Sequence, residues 1–157
     1  MFKLFLIITL IFILESNFII KASTTKKYLS IRSGQTNVRL GPSYTHPVIW
    51  IYEKKNMPVE IIDEFEVWRK IKDFQGEIGW IHLSQLSRKR TLLTVKDNGV
   101  LFKEASVLSE PLIKIGMYET AVIKKCYPDW CKIEIQKYRG WIQKEYLWGV
   151  ELKEIIN

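Results

Sequence analysis

Trp68-Arg69-Lys70-Ile71 followed by Gly79-Trp80-Ile81, and Trp130-Cys131-Lys132-Ile133 followed by Gly140-Trp141-Ile142, are two copies of one phrase. The leading tetrapeptides stand 62 residues apart and the Gly-Trp-Ile strings 61 apart. Working outward, Leu86 matches Leu147 at 61, and Val59 and Ile61 match Ala121 and Ile123 at 62. An offset held to within one residue across several motifs marks duplication of a unit of about 60 residues. Two copies are too few for a solenoid, so each is expected to close on itself.

Between these anchors the chain runs in short stretches separated by Gly, Pro, Asn and Asp. Val59-Glu60-Ile61 alternates apolar and polar, and β-branched and aromatic residues crowd around it. Beyond Ala22 no long segment holds apolar residues at helical spacing. The class is therefore all-β, two tandem small β-barrels of about five strands each. Trp68 to Ile71 opens a strand, and Asp73-Phe74-Gln75-Gly76 supplies the turn before Ile78-Gly79-Trp80-Ile81. Tyr138-Arg139-Gly140 reads as the matching turn in the second copy. Gly79 and Gly140, each just before a Trp, mark backbone that passes close to a neighbour, and Leu86 and Leu147 plug the barrel ends. A unit of about 60 residues buries only about 60% of its chain surface, so contact between the barrels is expected.

Asn37-Val38-Arg39-Leu40-Gly41-Pro42-Ser43 resembles the opening motif of bacterial SH3 domains. Trp68 with Ile71, then Gly79-Trp80-Ile81 and Leu86, resemble that family's closing pattern. The longer strings Trp68 to Asp73, Gly79 to His82, Leu86 to Thr91 and Leu147 to Val150 resemble an exported SH3-like family of alphaproteobacteria that carries two such units. The resemblance covers Tyr28 to Val150. It implies tandem SH3-like barrels after an N-terminal signal segment, and no particular activity, because that family has no agreed one. The organisation expected is a signal peptide over 1–22, a first barrel over 23–90, a second over 91–150 and a tail over 151–157. In the second unit Val100-Leu101-Phe102-Lys103-Glu104-Ala105-Ser106 lacks the Asn, Gly and Pro of the opening motif. A ligand role for that loop is weaker there.

Composition agrees with packed domains: 157 residues, 47% hydrophobic and 13% aromatic, with six Trp. The net charge is +7, which suits nucleic acid, anionic membranes or acidic polymers alike. From Ser23 to Arg90 there are 12 Lys/Arg against 7 Asp/Glu; from Thr91 onward, 10 against 9. The one basic run, Arg88-Lys89-Arg90, falls where the halves join and reads as a solvated linker. At the N-terminus Lys3 precedes an apolar stretch from Leu4 to Leu14, and Ile20 and Ala22 fit the −3 and −1 positions of a cleavage site. The uncharged run is shorter than the roughly 20 residues that span a bilayer. A periplasmic or secreted protein is expected, with an uncleaved leader as the one route to a membrane.

Catalytic chemistry has little to draw on. The two histidines, His46 and His82, belong to no metal or nucleophile motif, and no cofactor or metal is expected. Cys126 and Cys131 flank Tyr127-Pro128-Asp129-Trp130, whose Pro-Asp suits a turn, so they can face each other across a hairpin. In an oxidising compartment such a pair reads as a disulfide; buried thiols and a redox-labile bridge are the other states open to it. Trp80 and Trp141, fixed beside Gly, are expected to pack, whereas Trp68 and Trp130 suit either core or groove. For a ligand site the first barrel offers Arg39, Tyr44, Trp50, Tyr52 and Trp68, with Arg39 placed to meet a carboxylate. These features favour a non-catalytic envelope adaptor recognising cell-wall peptide or an envelope protein. The alternative is an accessory or degenerate subunit of a cell-wall hydrolase. Nucleic acid is not an expected partner, because an exported protein would rarely meet it.

Overall fold

Alternating side chains become strands where one face can be buried, and they do so twice here. The computed structural model describes residues 26–157; the expected leader, 1–22, lies outside the described residues. The first unit comprises β1 (Lys27–Ile31), β2 (Thr36–Arg39), β3 (Val48–Tyr52), β4 (Pro58–Phe65), β5 (Trp68–Lys72), β6 (Ile78–His82) and β7 (Leu86–Ser87). The second comprises β8 (Thr91–Thr94), β9 (Gly99–Phe102), β10 (Pro111–Ile115), β11 (Thr120–Cys126), β12 (Trp130–Ile135), β13 (Tyr138–Gln143) and β14 (Leu147–Trp148). A single 3-10 turn, Leu83–Gln85 in one and Lys144–Tyr146 in the other, precedes the last strand.

Strand order is β3-β2-β6-β5-β4-β1-β7 and β10-β9-β13-β12-β11-β8-β14, one topology used twice. Each sheet has seven strands where about five were expected. The difference lies in two-residue β7 and β14, too short to show alternation, and in Val48-Ile49-Trp50-Ile51-Tyr52, which has none. In β12 the parity is regular: Cys131, Ile133 and Ile135 are buried, and Trp130, Lys132 and Glu134 are not. The two cores draw on the same places. Val38, Val59, Ile71, Ile81 and Leu86 fill the first, and Leu101, Ala121, Ile133, Ile142 and Leu147 fill the second. Each of the Val, Leu and Ile side chains, fully buried, contributes about 1.5–3 kcal/mol.

The glycines before the tryptophans sit where expected. A Cβ on Gly140 would stand 2.6 Å from the Phe102 carbonyl oxygen, and one on Gly79 would collide with Val38. The hairpins differ in detail. Asp73 orders the first: its carboxylate accepts from the Gln75 and Glu77 amides, both at 2.9 Å. In the second copy Tyr138-Arg139-Gly140 is not the turn but the start of β13. Ile135 pairs with Tyr138 across Gln136 and Lys137, and Gln136 takes the positive φ. Seven residues separate the paired Ile71 and Gly79 and six the matching Ile133 and Gly140, which is why the repeat offset changes from 62 to 61 between Trp130 and Trp141.

The barrels touch. Tyr28 of β1 meets Trp148 of β14 edge-on, with ring centroids 5.3 Å apart. Lys54 donates to the Tyr118 carbonyl at 2.7 Å, and Phe74 lies 5.4 Å from the Tyr118 ring. Burial pushes the Tyr28 phenol up to about 12, helped by Glu60, Glu151 and Glu154 and opposed by Arg90. Arg90 corrects the reading of Arg88-Lys89-Arg90 as a solvated linker. Arg88 and Lys89 are exposed, but Arg90 donates to both Glu154 carboxylate oxygens, at 2.6 and 3.1 Å, and to the Gly149 carbonyl at 3.1 Å.

Candidate functional site

Strand parity brings the candidate residues together. On β2, Thr36 and Val38 point inward, so Asn37 and Arg39 share the outer face. Arg39 stands opposite Trp80 on β6, and Trp68 of β5 stands opposite His82. The loop from Leu40 to Pro47 then folds back over this corner. Arg39 holds it there: one guanidinium nitrogen donates to the Tyr44 carbonyl at 3.1 Å and the His46 carbonyl at 2.7 Å. A Cβ on the motif glycine Gly41 would meet the His46 imidazole, which would have to swing aside.

Three rings result. Tyr44 lies edge-on to Trp68 at 5.0 Å and stacks on His82 at 5.5 Å, while His82 meets Trp68 edge-on at 5.2 Å. Trp68 is 5% exposed and Tyr44 67% exposed, so one ring is anchored and the other stands in solvent. Arg39 lies over the Tyr44 ring, 5.6 Å from its centroid. Gln35, Asn37, Arg39, Tyr44, Trp68, His82 and Gln85 together line a cleft of about 90 Å3. His82 Nδ1 accepts from the Ser84 amide at 3.2 Å, so in the neutral ring Nε2 carries the proton and is the donor nitrogen.

Of the five residues proposed from sequence, Arg39, Tyr44 and Trp68 meet in this cleft. Trp50 and Tyr52 do not. Both pack against the first core from β3, and the Tyr52 hydroxyl donates to Asp73 at 3.1 Å. Burial, reinforced by the Asp73 charge, pushes that phenol well above its ordinary range. His82 and Gln85 were missed because cross-strand register, not sequence proximity, delivers them. Arg39 also differs from expectation, since its first partners are the carbonyls of its own loop.

The tryptophans beside the glycines are not core residues. Gly79 and Ile81 face inward, so half-buried Trp80 lies on the outer face with Lys70 5.9 Å from its ring. Trp141 does the same, stacked on Tyr127 at 5.2 Å. In the second barrel Phe102 replaces Arg39 and meets Trp130 edge-on at 5.8 Å, so an apolar contact stands where the first barrel has a cation. Cys126 and Cys131, paired across β11 and β12, form a disulfide. Glu64 and Arg69, 3.4 Å apart, take those places in the first barrel.

Among the described residues, no group of three or more His, Cys, Asp or Glu side chains is arranged to hold a metal ion. No helix among them is long and apolar enough to cross a membrane.

Fold and cleft together define a duplicated small-barrel protein with an aromatic corner on one copy. The chain belongs to the bacterial SH3 domain family, which matches it twice, over residues 32–88 and 95–149. No curated protein matches it. Similar solved structures include NlpC2 from Trichomonas vaginalis, at 14% identity and a TM-score of 0.36, covering 81% of this chain and 49% of that one. NlpC1 from the same organism is 15% identical with a TM-score of 0.35, covering 81% and 47%. The chain thus spans about half the length of those two proteins.

Proposed function

We propose that this chain is an exported, non-catalytic binding module of the cell envelope, whose first barrel takes cell-wall peptide or an extended segment of an envelope protein. The Tyr44–Trp68–His82 corner carries the reading. It offers an exposed aromatic face on an anchored base, ringed by the amides of Asn37, Gln35 and Gln85 and the Arg39 cation. Rigid rings supply contact area at low entropic cost, and a few convergent polar groups supply orientation. Membership in the bacterial SH3 domain family supports the same reading.

The cysteines support a non-catalytic role, because each sulfur is spent on the other and a nucleophile needs a thiolate. Export rests on the leader-like pattern of residues 1–22. The test is pelleting of the protein, freed of residues 1–22, with purified peptidoglycan sacculi. Retention of the wild type supports the wall-peptide reading, and indifference to sacculi removes it. Fractionation with N-terminal sequencing tests export separately.

A further inference from the structure

The duplication lets one barrel report on the other. In the second barrel the tail from Glu151 to Ile156 folds back over a groove and is held at three points. Glu154 takes the two-bonded fork from Arg90. Ile156 exchanges backbone hydrogen bonds with Cys126, at 2.8 and 3.1 Å. Lys144, 3% exposed, donates to the carbonyls of Glu151, Leu152 and Glu154. Occupant and groove are complementary at two places: the Glu154 carboxylate meets the Arg90 cation, and Ile156 packs against the second core while Leu152 and Ile155 stay exposed.

Strand register maps these anchors onto the first barrel. Leu29 opposite Val59 corresponds to Leu92 opposite Ala121, so Arg90 maps to Lys27. Lys144, first residue of its 3-10 turn, maps to Leu83. At that place the first barrel has a groove of about 490 Å3, its floor formed by Leu29, Leu83 and Leu86 and its rim by Lys27, Arg32, Arg69 and Arg88. Among the described residues no segment covers it. One carboxylate serves this rim: Glu64 bonds Lys27 at 2.7 Å and lies 3.4 Å from Arg69. Arg88 forms no ion pair among the described residues.

We propose that this groove is a second ligand site, which takes an acidic, apolar peptide segment of a partner protein in the way the second barrel takes the chain's own tail. Carboxylates of the segment meet Arg88, Arg69 and Lys27, and one aliphatic side chain lies on Leu29 and Leu83 as Ile156 lies on the second core. Nucleic acid fits less well, because no aromatic ring lines the groove to stack a base. A bilayer fits less well, because the cations rim a concavity that a flat surface does not enter. The site is separate from the aromatic corner and stands without the wall-peptide reading.

The probe is a fluorescein-labelled Glu-Leu-Glu-Glu-Ile-Ile peptide, titrated against the whole chain freed of residues 1–22 and read by anisotropy. Saturable binding is expected, weakening as salt rises. Arg88→Glu should weaken it by about tenfold or more, and Glu64→Gln should strengthen it about twofold or more by releasing two cations. Tyr44→Ala should leave it unchanged. Absence of saturable binding overturns the proposal, as does indifference to Arg88→Glu. So does loss on Arg90→Ala with Arg88→Glu silent, which places the peptide on the second barrel. Tighter binding of a single-stranded oligonucleotide or of phosphatidylglycerol vesicles than of the peptide also overturns it.

Discussion

Tyr44 stands edge-on against Trp68, with centroids 5.0 Å apart, and the two rings have opposite relations to water. Tyr44 reaches into solvent from a loop, whereas Trp68 is covered by Tyr44 and His82 at the start of β5. The pair separates recognition from stability within a single contact.

Truncating the outer ring should therefore affect binding far more than stability. Tyr44→Ala is expected to abolish pelleting with sacculi while costing only about 0.5–1.5 kcal/mol of unfolding stability, the worth of its edge contact with Trp68. Trp68→Ala removes a buried ring and should cost about 3–5 kcal/mol. Pelleting assays beside urea titrations of both variants read the two effects. Equal destabilisation by the two substitutions would contradict the division.

Reduction should weaken one barrel only. The Cys126–Cys131 disulfide closes a short loop in the second unit, and the chain-entropy estimate for such a loop is about 2 kcal/mol. The first barrel carries the Glu64–Arg69 ion pair instead. Urea unfolding with and without dithiothreitol, followed by amide signals assigned to each barrel, should show loss in residues 91–148 and little change in 27–87. A loss shared equally would mean that the barrels unfold as one unit.

Acid should release the tail. Burial raises the Glu154 carboxyl, but the hydrogen bond from Arg90, the Glu151 amide and the Arg90 and Lys144 charges more than offset it, so its pKa lies below the ordinary value. A depressed carboxylate contributes stability that is complete above its unfolded pKa, about 4.3, and is lost as pH falls through the folded one. Hydrogen exchange at the Cys126 and Ile156 amides should stay slow at pH 6 and accelerate below about pH 4. Glu154→Gln should show the fast behaviour already at pH 6. Exchange that is insensitive to both changes would mean that the Arg90 fork does not hold the tail.

Much of the fold was legible because the repeat carries its own register. Once Trp68 matched Trp130 and Gly79 matched Gly140, strand order in one barrel dictated it in the other. Parity was harder to read. Trp80 looks like core material beside a glycine, yet Gly79 and Ile81 both face inward, which turns the ring between them outward. Arg39 could be found from the opening motif, and Tyr44 from its nearness to the loop that follows it. Trp50 and Tyr52 were drawn in by nearness in sequence, although β3 directs them to the core and to Asp73. His82 and Gln85 left no local signal, since only the β5–β6 pairing and the turn after it bring them to the cleft. The tail was least legible: its hold depends on Arg90, 64 residues upstream of Glu154.

The central claim is that the aromatic corner of the first barrel is where ligand sits. Chemical-shift mapping of 15N-labelled protein with soluble peptidoglycan fragments tests it most directly. The account predicts saturable shifts at the Trp68 indole N–H, the Tyr44 and His82 amides and the Asn37 side-chain amide, with the second barrel silent. Shifts centred on Trp130 and Phe102, or none at saturating fragment, would contradict it.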